Sequence, residues 1–146
     1  MKKDFFSRLV YARKSPLFGK FAYLILKTFG IEIPRSVEMG ENFYLVHGGF
    51  GVVIHPNTII GDDVRIYPGV TLGRADIHKL IDQSDFKGFT IEKDAILSAG
   101  AKLLCKSGTM TIGAGSVIGA NAVLLESTGE NEIWVGIPAK KKGMRE

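Results

Sequence analysis

The side chains best suited to acid–base chemistry in this sequence are three histidines. His47 stands in "YLVHGGFG", between an aliphatic unit and a glycine-rich break; His55 stands in "IHPNTI"; His78 stands in "RADIHKLIDQSDFKGF". An imidazole with its ordinary pKa of about 6.5 keeps a useful neutral fraction near neutral pH, so it can take the proton of an attacking hydroxyl. His47 has two readings, a proton acceptor or a corner residue. His55 directly follows a core aliphatic, where glycine or another corner residue stands in other units, and reads as structural. Cys105 is the only cysteine. It has no partner for an internal disulfide and no second thiol for a metal site, so it reads as a small buried apolar side chain in a protein of a reducing compartment. No metal site is expected.

The elements that must position these residues follow from an unusual period. From Ile33 onward, aliphatic residues recur every six positions, which fits neither an amphipathic helix nor an alternating strand. Ile33, Met39 and Leu45 form one series; Ile54, Ile60, Ile66 and Leu72 a second; Ile91, Leu97 and Leu103 a third; Ile112, Ile118 and Leu124 a fourth. Four positions after most of them sits a small or β-branched residue, among them Val37, Val64, Ala95, Ala101, Ser107 and Ala122. Gly40, Gly61, Gly73, Gly113 and Gly119 directly follow a series member. The pattern predicts short strands that turn a corner every six residues, with the large aliphatic inside, the small residue in narrower inner space, and glycine accepting corner geometry. One segment interrupts it, residues 74–90, which carries His78 and is expected to form an inserted loop bordering a site.

The first thirty residues differ. Phe5, Phe6, Leu9 and Val10 recur at helical spacing, and Ser15–Pro16 predicts the start of a second helix that Gly30 ends. Leu17, Phe18, Phe21, Leu24, Ile25 and Phe29 make a broad apolar face beside Lys20 and Lys27. Such a face packs against the rest of the protein or a partner subunit, or lies shallowly on an anionic membrane. Residues 1–30 hold seven Lys/Arg against one Asp, whereas the remainder holds twelve against fourteen Asp/Glu. The basicity therefore belongs to the N-terminal segment, and nothing beyond it interleaves basic and aromatic residues as nucleic-acid binding requires.

At 146 residues, 45% hydrophobic and 23% charged, the chain fits one soluble globular unit. The start "MKKDFF" lacks a signal-peptide pattern, and the apolar run "FAYLIL" is broken at Lys27, far short of the roughly 20 residues that cross a bilayer. A cytoplasmic location is expected. The reading divides the chain into a helical segment 1–30, a repeat domain 31–139 with its loop 74–90, and a basic tail 140–146.

Residues 31–139 resemble the hexapeptide-repeat acyltransferases. "IEIPRSVEMG", "GVTLG", "IGAGSVIGANAVL" and "VGIPAK" are similar to the core of the serine acetyltransferase branch and its relatives in exopolysaccharide synthesis. The resemblance implies a left-handed parallel β-helix of triangular section, a homotrimer with sites between neighbouring subunits, and acetyl-coenzyme A as donor. It places His47 at the family's catalytic histidine and Glu32 at its acidic partner, fifteen residues upstream. It also implies a donor groove, here Ala99, Gly100 and Ala101, then Gly113, Ala114 and Gly119, with Lys140, Lys141 and Lys142 offered to phosphates. His78, by its place on the inserted loop, is the candidate for acceptor contact, with a solvated loop residue as the alternative. Acetyl transfer needs a base for the hydroxyl proton and a donor for the oxyanion, tasks that His47 and corner amides can meet without a metal.

The chain departs from the serine acetyltransferase pattern in four places. Val46 stands where that branch has an acidic residue before its histidine, "FKGF" replaces an Arg-His pair after the loop, the stretch from His47 to Val52 is one residue longer, and the long N-terminal helical domain is missing. The short basic, apolar N-terminus resembles enzymes that acetylate sugar hydroxyls near a membrane. The expected function is accordingly acetyl transfer to a hydroxyl of a sugar or polysaccharide precursor, with possible peripheral membrane contact. Serine acetyltransferase and a catalytically silent trimeric scaffold are the alternatives.

Overall fold

The computed structural model describes residues 4–146, so the two lysines of "MKKDFF" lie outside the described residues. Helix α1 (Phe5–Ala12) starts where the Asp4 carboxylate accepts from the Ser7 amide at 2.7 Å, satisfying one of the free first-turn donors. Helix α2 (Gly19–Thr28) begins three residues after the expected Pro16, because the Ser15 hydroxyl accepts from Phe18 and closes a separate turn first. Gly30, at φ 72°, ends it as expected. No helix among the described residues is long and apolar enough to cross a membrane.

The remainder winds as a triangular coil. Its strands in chain order are β1 (Glu38–Met39) and β2 (Tyr44–Leu45), β3 (Thr58–Ile60) and β4 (Arg65–Ile66), β5 (Thr71–Arg74), β6 (Phe86–Ile91) and β7 (Ile96–Leu97), β8 (Lys102–Cys105), β9 (Gly108–Ile112) and β10 (Val117–Ile118), then β11 (Val123–Leu124), β12 (Glu132–Gly136) and β13 (Ala139–Met144). They stack into three faces. The first holds Glu32, Val53, β5, β8 and β11; the second β1, β3, β6 and β9; the third β2, β4, β7, β10 and β12. All these pairings are parallel, and β13 alone returns antiparallel against β12. This is the left-handed β-helix of hexapeptide repeats that the resemblance implied, its corners set by the six-residue period.

Register turns the six-residue series into vertical ladders. Leu45, Ile66, Leu97, Ile118 and Trp134 stack on the third face, and Met39, Ile60, Ile91 and Ile112 on the second. Every series member but Met39 is buried, each contributing on the order of 1.5–3 kcal/mol by its removal from water. Val37, Val64, Ala95 and Ala122 fill the narrow space between them, while Ser107 stays exposed where β8 and β9 meet at an irregular corner. Cys105 is buried, as expected.

The corner chemistry differs from the sequence reading. The glycines that follow the series members, such as Gly61, do not sit in left-handed conformations; a Cβ at Gly61 would come within 2.8 Å of the Lys93 amide of the next coil. Close stacking of coils selects Gly40, Gly61, Gly113 and Gly119, whereas a Cβ at Gly73 would meet nothing nearer than 4.0 Å. The left-handed turn residues form two other ladders, Asn42, Asp63, Asp94, Gly115 and Asn131 between the second and third faces, and Gly51, Gly69, Gly100 and Asn121 between the third and first. Asparagine and aspartate tolerate this region better than other side chains.

The helices close the coil's first turn. Ser7 Oγ accepts from the Leu45 amide at 3.0 Å, and Tyr11 Oη accepts from the Phe43 amide at 2.9 Å while donating to the Gly40 carbonyl at 2.7 Å. Arg13 is fully buried, with one nitrogen donating to the Val37 carbonyl at 2.9 Å; burial, chiefly, lowers its pKa to about 10. The helix packs through Ala22 and Leu26, which are buried, whereas the expected apolar face is turned outward, with Leu17, Phe18, Phe21, Leu24 and Phe29 exposed and Ile25 half-buried.

Candidate active site

His47 lies at the corner where the chain leaves the third face for the first. Its backbone is left-handed, φ 52° and ψ 32°, and Gly48, Gly49 and Gly51 continue the kink with positive φ. A non-glycine residue held there costs on the order of 1–3 kcal/mol, which the surrounding contacts must offset. Phe50 fixes it from one side by packing edge-on against Phe6 of α1 at 5.2 Å, and Ser7 holds Leu45 from the other. Val46, Gly48 and Gly49 are buried while the His47 ring points to solvent, 6.1 Å edge-on from the Tyr67 ring. Tyr67 escaped the sequence reading; its one signal was its place directly after Ile66, where other units carry glycine.

Glu32 stands on the first face, bridged by its backbone to Val53. Its carboxylate lies 3.9 Å from Lys27 Nζ, and no hydrogen bond joins it to His47 among the described residues. The structure therefore places the two residues on adjoining parts of the first coil without bringing them into contact.

The expected donor residues divide. Ala99 and Gly100 lie on the same edge as His47, two coils on, where the Gly100 amide donates to the Pro68 carbonyl at 2.9 Å and Lys102 Nζ donates to the Gly69 carbonyl. Gly119 follows on that edge, and Gly136–Pro138 end β12 above it. Ala101 is inside the coil, completely buried. Gly113 and Ala114 lie at a different corner with their amides occupied, by Thr128 Oγ1 at 3.0 Å and Glu92 Oε2 at 2.8 Å. Lys140, Lys141 and Lys142 are not a loose tail but part of β13, with Lys141 Nζ 2.8 Å from Glu132. Lys140 and Lys142 are exposed. The hydrogen bond from Lys141, then those from Trp134 Nε1 and the Gly129 amide, lower the Glu132 pKa to about 2.

The inserted segment leaves the first face at Arg74 and rejoins the second at Phe86, so the arm proper is shorter than 74–90. His78 is exposed on it, beside exposed Ile77 and Leu80. His55 packs edge-on against Phe86 at the arm's root, 4.6 Å between centroids. Its Nδ1 accepts from the Asn57 amide at 3.1 Å, and burial followed by the charge of Arg74 lowers its pKa, favouring the neutral ring. Within one chain the arm and His47 occupy different corners, separated by the first face.

The coil is that of the hexapeptide-repeat acyltransferases, and the chain belongs to that family by its similarity to known members. Within that class it falls in the serine acetyltransferase-like branch. The serine acetyltransferase of Bacillus licheniformis is 38% identical over 132 residues, 90% of this chain and 57% of the relative. That of Helicobacter pylori is 40% identical over 114 residues, 76% of this chain and 60% of the relative. Among solved structures, Brucella abortus serine acetyltransferase in complex with coenzyme A superposes with a TM-score of 0.77 at 26% identity, covering 95% of this chain and 55% of that one. The chain thus spans little more than half the length of these relatives. No family model matches it.

These relatives overturn the expected sugar acceptor and, with it, the assignment to polysaccharide biosynthesis. The departures at Val46 and "FKGF" are local, whereas the similarity runs through nearly the whole coil, and the enzymes it leads to are named for serine.

Proposed function

We propose that this chain is an acetyl-coenzyme A-dependent serine O-acetyltransferase. The observation that carries the reading is its similarity along 90% of its length to serine acetyltransferases, together with an exposed His47 on a braced kink at the position that resembles their catalytic histidine. His47 takes the serine hydroxyl proton as the oxygen attacks the thioester carbonyl; the carbon–sulfur bond then breaks, and the thiolate leaves with that proton. Glu32 orients the imidazole. Its pairing with Lys27 is long and half-exposed, so it is released at little cost.

The donor lies along the edge between the third and first faces. His47, Ala99, Gly100, Gly119 and the turn at Gly136–Pro138 share that edge, about 19 Å long from β2 to β12 at the usual spacing of neighbouring strands. Small residues there let a thin pantetheine chain run close to backbone, and the exposed Lys140 and Lys142 at its far end suit phosphates. Gly113 and Ala114 take no part in this reading because they lie at another corner with their amides occupied, and Ala101 because its side chain is completely buried.

The assembly is a homotrimer with shared sites. The separation of the arm from His47 within one chain supports it, since a neighbour's arm at that edge completes a site that one chain leaves open. A cytoplasmic location fits a free amino acid as acceptor. Peripheral membrane contact, expected from the basic, apolar N-terminus, finds no support in these relatives.

The test is product analysis of the full chain with acetyl-coenzyme A, serine and a panel of sugars, alongside its light-scattering mass. O-acetylserine formation by a species of three times 15.9 kDa is expected. His47→Ala should lower kcat roughly 10²- to 10⁴-fold, the usual contribution of a positioned base, while coenzyme A affinity survives. Turnover of sugars but not serine, or full activity in His47→Ala, would refute the reading.

A further inference from the structure

The inserted arm is not built like a simple connection. Elsewhere at the same corner the chain passes from first to second face in a few residues, as at His55–Asn57, yet between Arg74 and Phe86 it takes the long way round. The arm's tip contributes nothing to the core: Ile77, Leu80 and Ile81 are 82%, 67% and 70% exposed. Its base is the reverse. Asp76 is 1% exposed, with Arg74 Nε donating to its Oδ1 at 2.9 Å and Ser84 Oγ donating to its Oδ2 at 2.7 Å.

The same guanidinium reaches further. Arg74 also donates to the Asp76 carbonyl and to the Lys79 carbonyl, both at 3.0 Å, and Ser84 Oγ accepts from the Phe86 amide at 3.1 Å. The outgoing strand, the first turn of the arm and its return are therefore tied at one point. The Ser84 hydrogen bond first, and then Arg74, hold the Asp76 carboxyl below its ordinary pKa despite burial, so it stays ionised. A buried ion pair is a poor source of net stability, because desolvation offsets the attraction, but it fixes one geometry. Here it fixes a loop whose exposed end carries a histidine and three aliphatic side chains.

We propose that Asp76, clasped by Arg74 and Ser84, is a positioning residue for acceptor binding, holding the arm preformed so that His78 and its neighbours meet the acceptor without first being ordered. A preformed arm keeps the ordering cost out of the binding step, so loosening it weakens the acceptor, whereas the donor groove is built on the coil itself and keeps its shape. The inference rests on the acyltransferase reading above, and its test separates the two.

Timed trypsin digestion of the full chain, read by mass spectrometry at Lys79, reports arm order without reference to activity, and steady-state kinetics report its use. In Asp76→Asn, cleavage after Lys79 and the serine KM should each rise about tenfold, with the acetyl-coenzyme A KM within about twofold of the parent and kcat less affected. Ser84→Ala should move both in the same direction by less, and Ser84→Thr should restore them. Unchanged cleavage and unchanged serine KM in Asp76→Asn would overturn the proposal. So would a collapse of thermal stability in Asp76→Asn while a folded Ser84→Ala behaves as the parent, since that is a structural role only. A parent protein that forms no O-acetylserine counts against the acyltransferase reading, and the digestion contrast then decides the clasp alone.

Discussion

The coil and the helices that cover its first turn are held together in different ways. In the coil, one local geometry repeats, and each interior aliphatic touches copies of itself above and below, as Leu97 does between Ile66 and Ile118. In the helical cap each contact occurs once: Ser7 on Leu45, Tyr11 on Phe43 and Gly40, Arg13 on Val37. Apolar burial is distributed over many equivalent rungs, whereas the cap depends on a few polar groups that no neighbour duplicates. The coil's stability is therefore set chiefly by volume, whereas the cap adds to the burial of Val10, Ala22 and Leu26 a set of donors that must find particular acceptors.

The sharpest way to break that contrast is to empty one rung. Leu97→Ala removes a completely buried side chain from the middle of the third-face ladder and should destabilise by about 2–5 kcal/mol, the range for such cavities. The melting temperature should fall by many degrees while the far-ultraviolet spectrum of the folded state stays the same. A loss under 1 kcal/mol would mean that the coils collapse onto the gap, and the ladder is softer than its register suggests.

Tyr11→Phe tests the cap with almost no change of volume. It leaves the Phe43 amide and the Gly40 carbonyl without the phenol that now serves both, which should cost about 1–3 kcal/mol. Hydrogen exchange should quicken at Phe43 and Leu45 but not at Leu97 or Ile118. Uniform acceleration along the coil would show that cap and coil open as one unit.

The smallest effect belongs to the far end, where Glu132 ties β12 to β13. Its folded pKa of about 2 lies below the unfolded value of 4.5, so its contribution is fully present above pH 4.5 and is lost as the pH falls toward 2. Thermal melts between pH 5 and 2.5 should steepen in that window, and Glu132→Gln should flatten it relative to the parent. An identical slope in both proteins would assign the acid sensitivity to other carboxylates.

The same contrast explains what the sequence made legible. Thirteen aliphatics at six-residue spacing announce a coil, because the repeat itself carries the information and the interior accepts only one kind of side chain. Their burial followed, apart from the partly exposed Met39. Corner glycines were read for the wrong reason, since a glycine chosen for close coil stacking and one chosen for positive φ look alike in sequence. His47 was visible because an imaginable chemistry met a break in the pattern. Its neighbour Tyr67 and the Asp76 clasp were not, because their meaning depends on which coil lies beside which, and on a loop closing back on itself. The donor set was split for a related reason: Gly100 and Gly113 occupy similar units one after another, yet face different edges of a triangle. The acceptor was misjudged where local departures were weighed above similarity of the whole coil.

The coil's regularity also carries a hazard. Each turn is a template for the next, so a stack of parallel strands with bare ends would grow by adding other molecules, as fibrils do. At one end the side chains of Ser7 and Tyr11 occupy backbone groups on β1–β2 that an incoming strand would need; at the other, β13 runs backwards along β12 and takes up its outer edge. Side-chain hydrogen bonds on one end and a reversed strand on the third face at the other act as chain terminators against end-to-end growth.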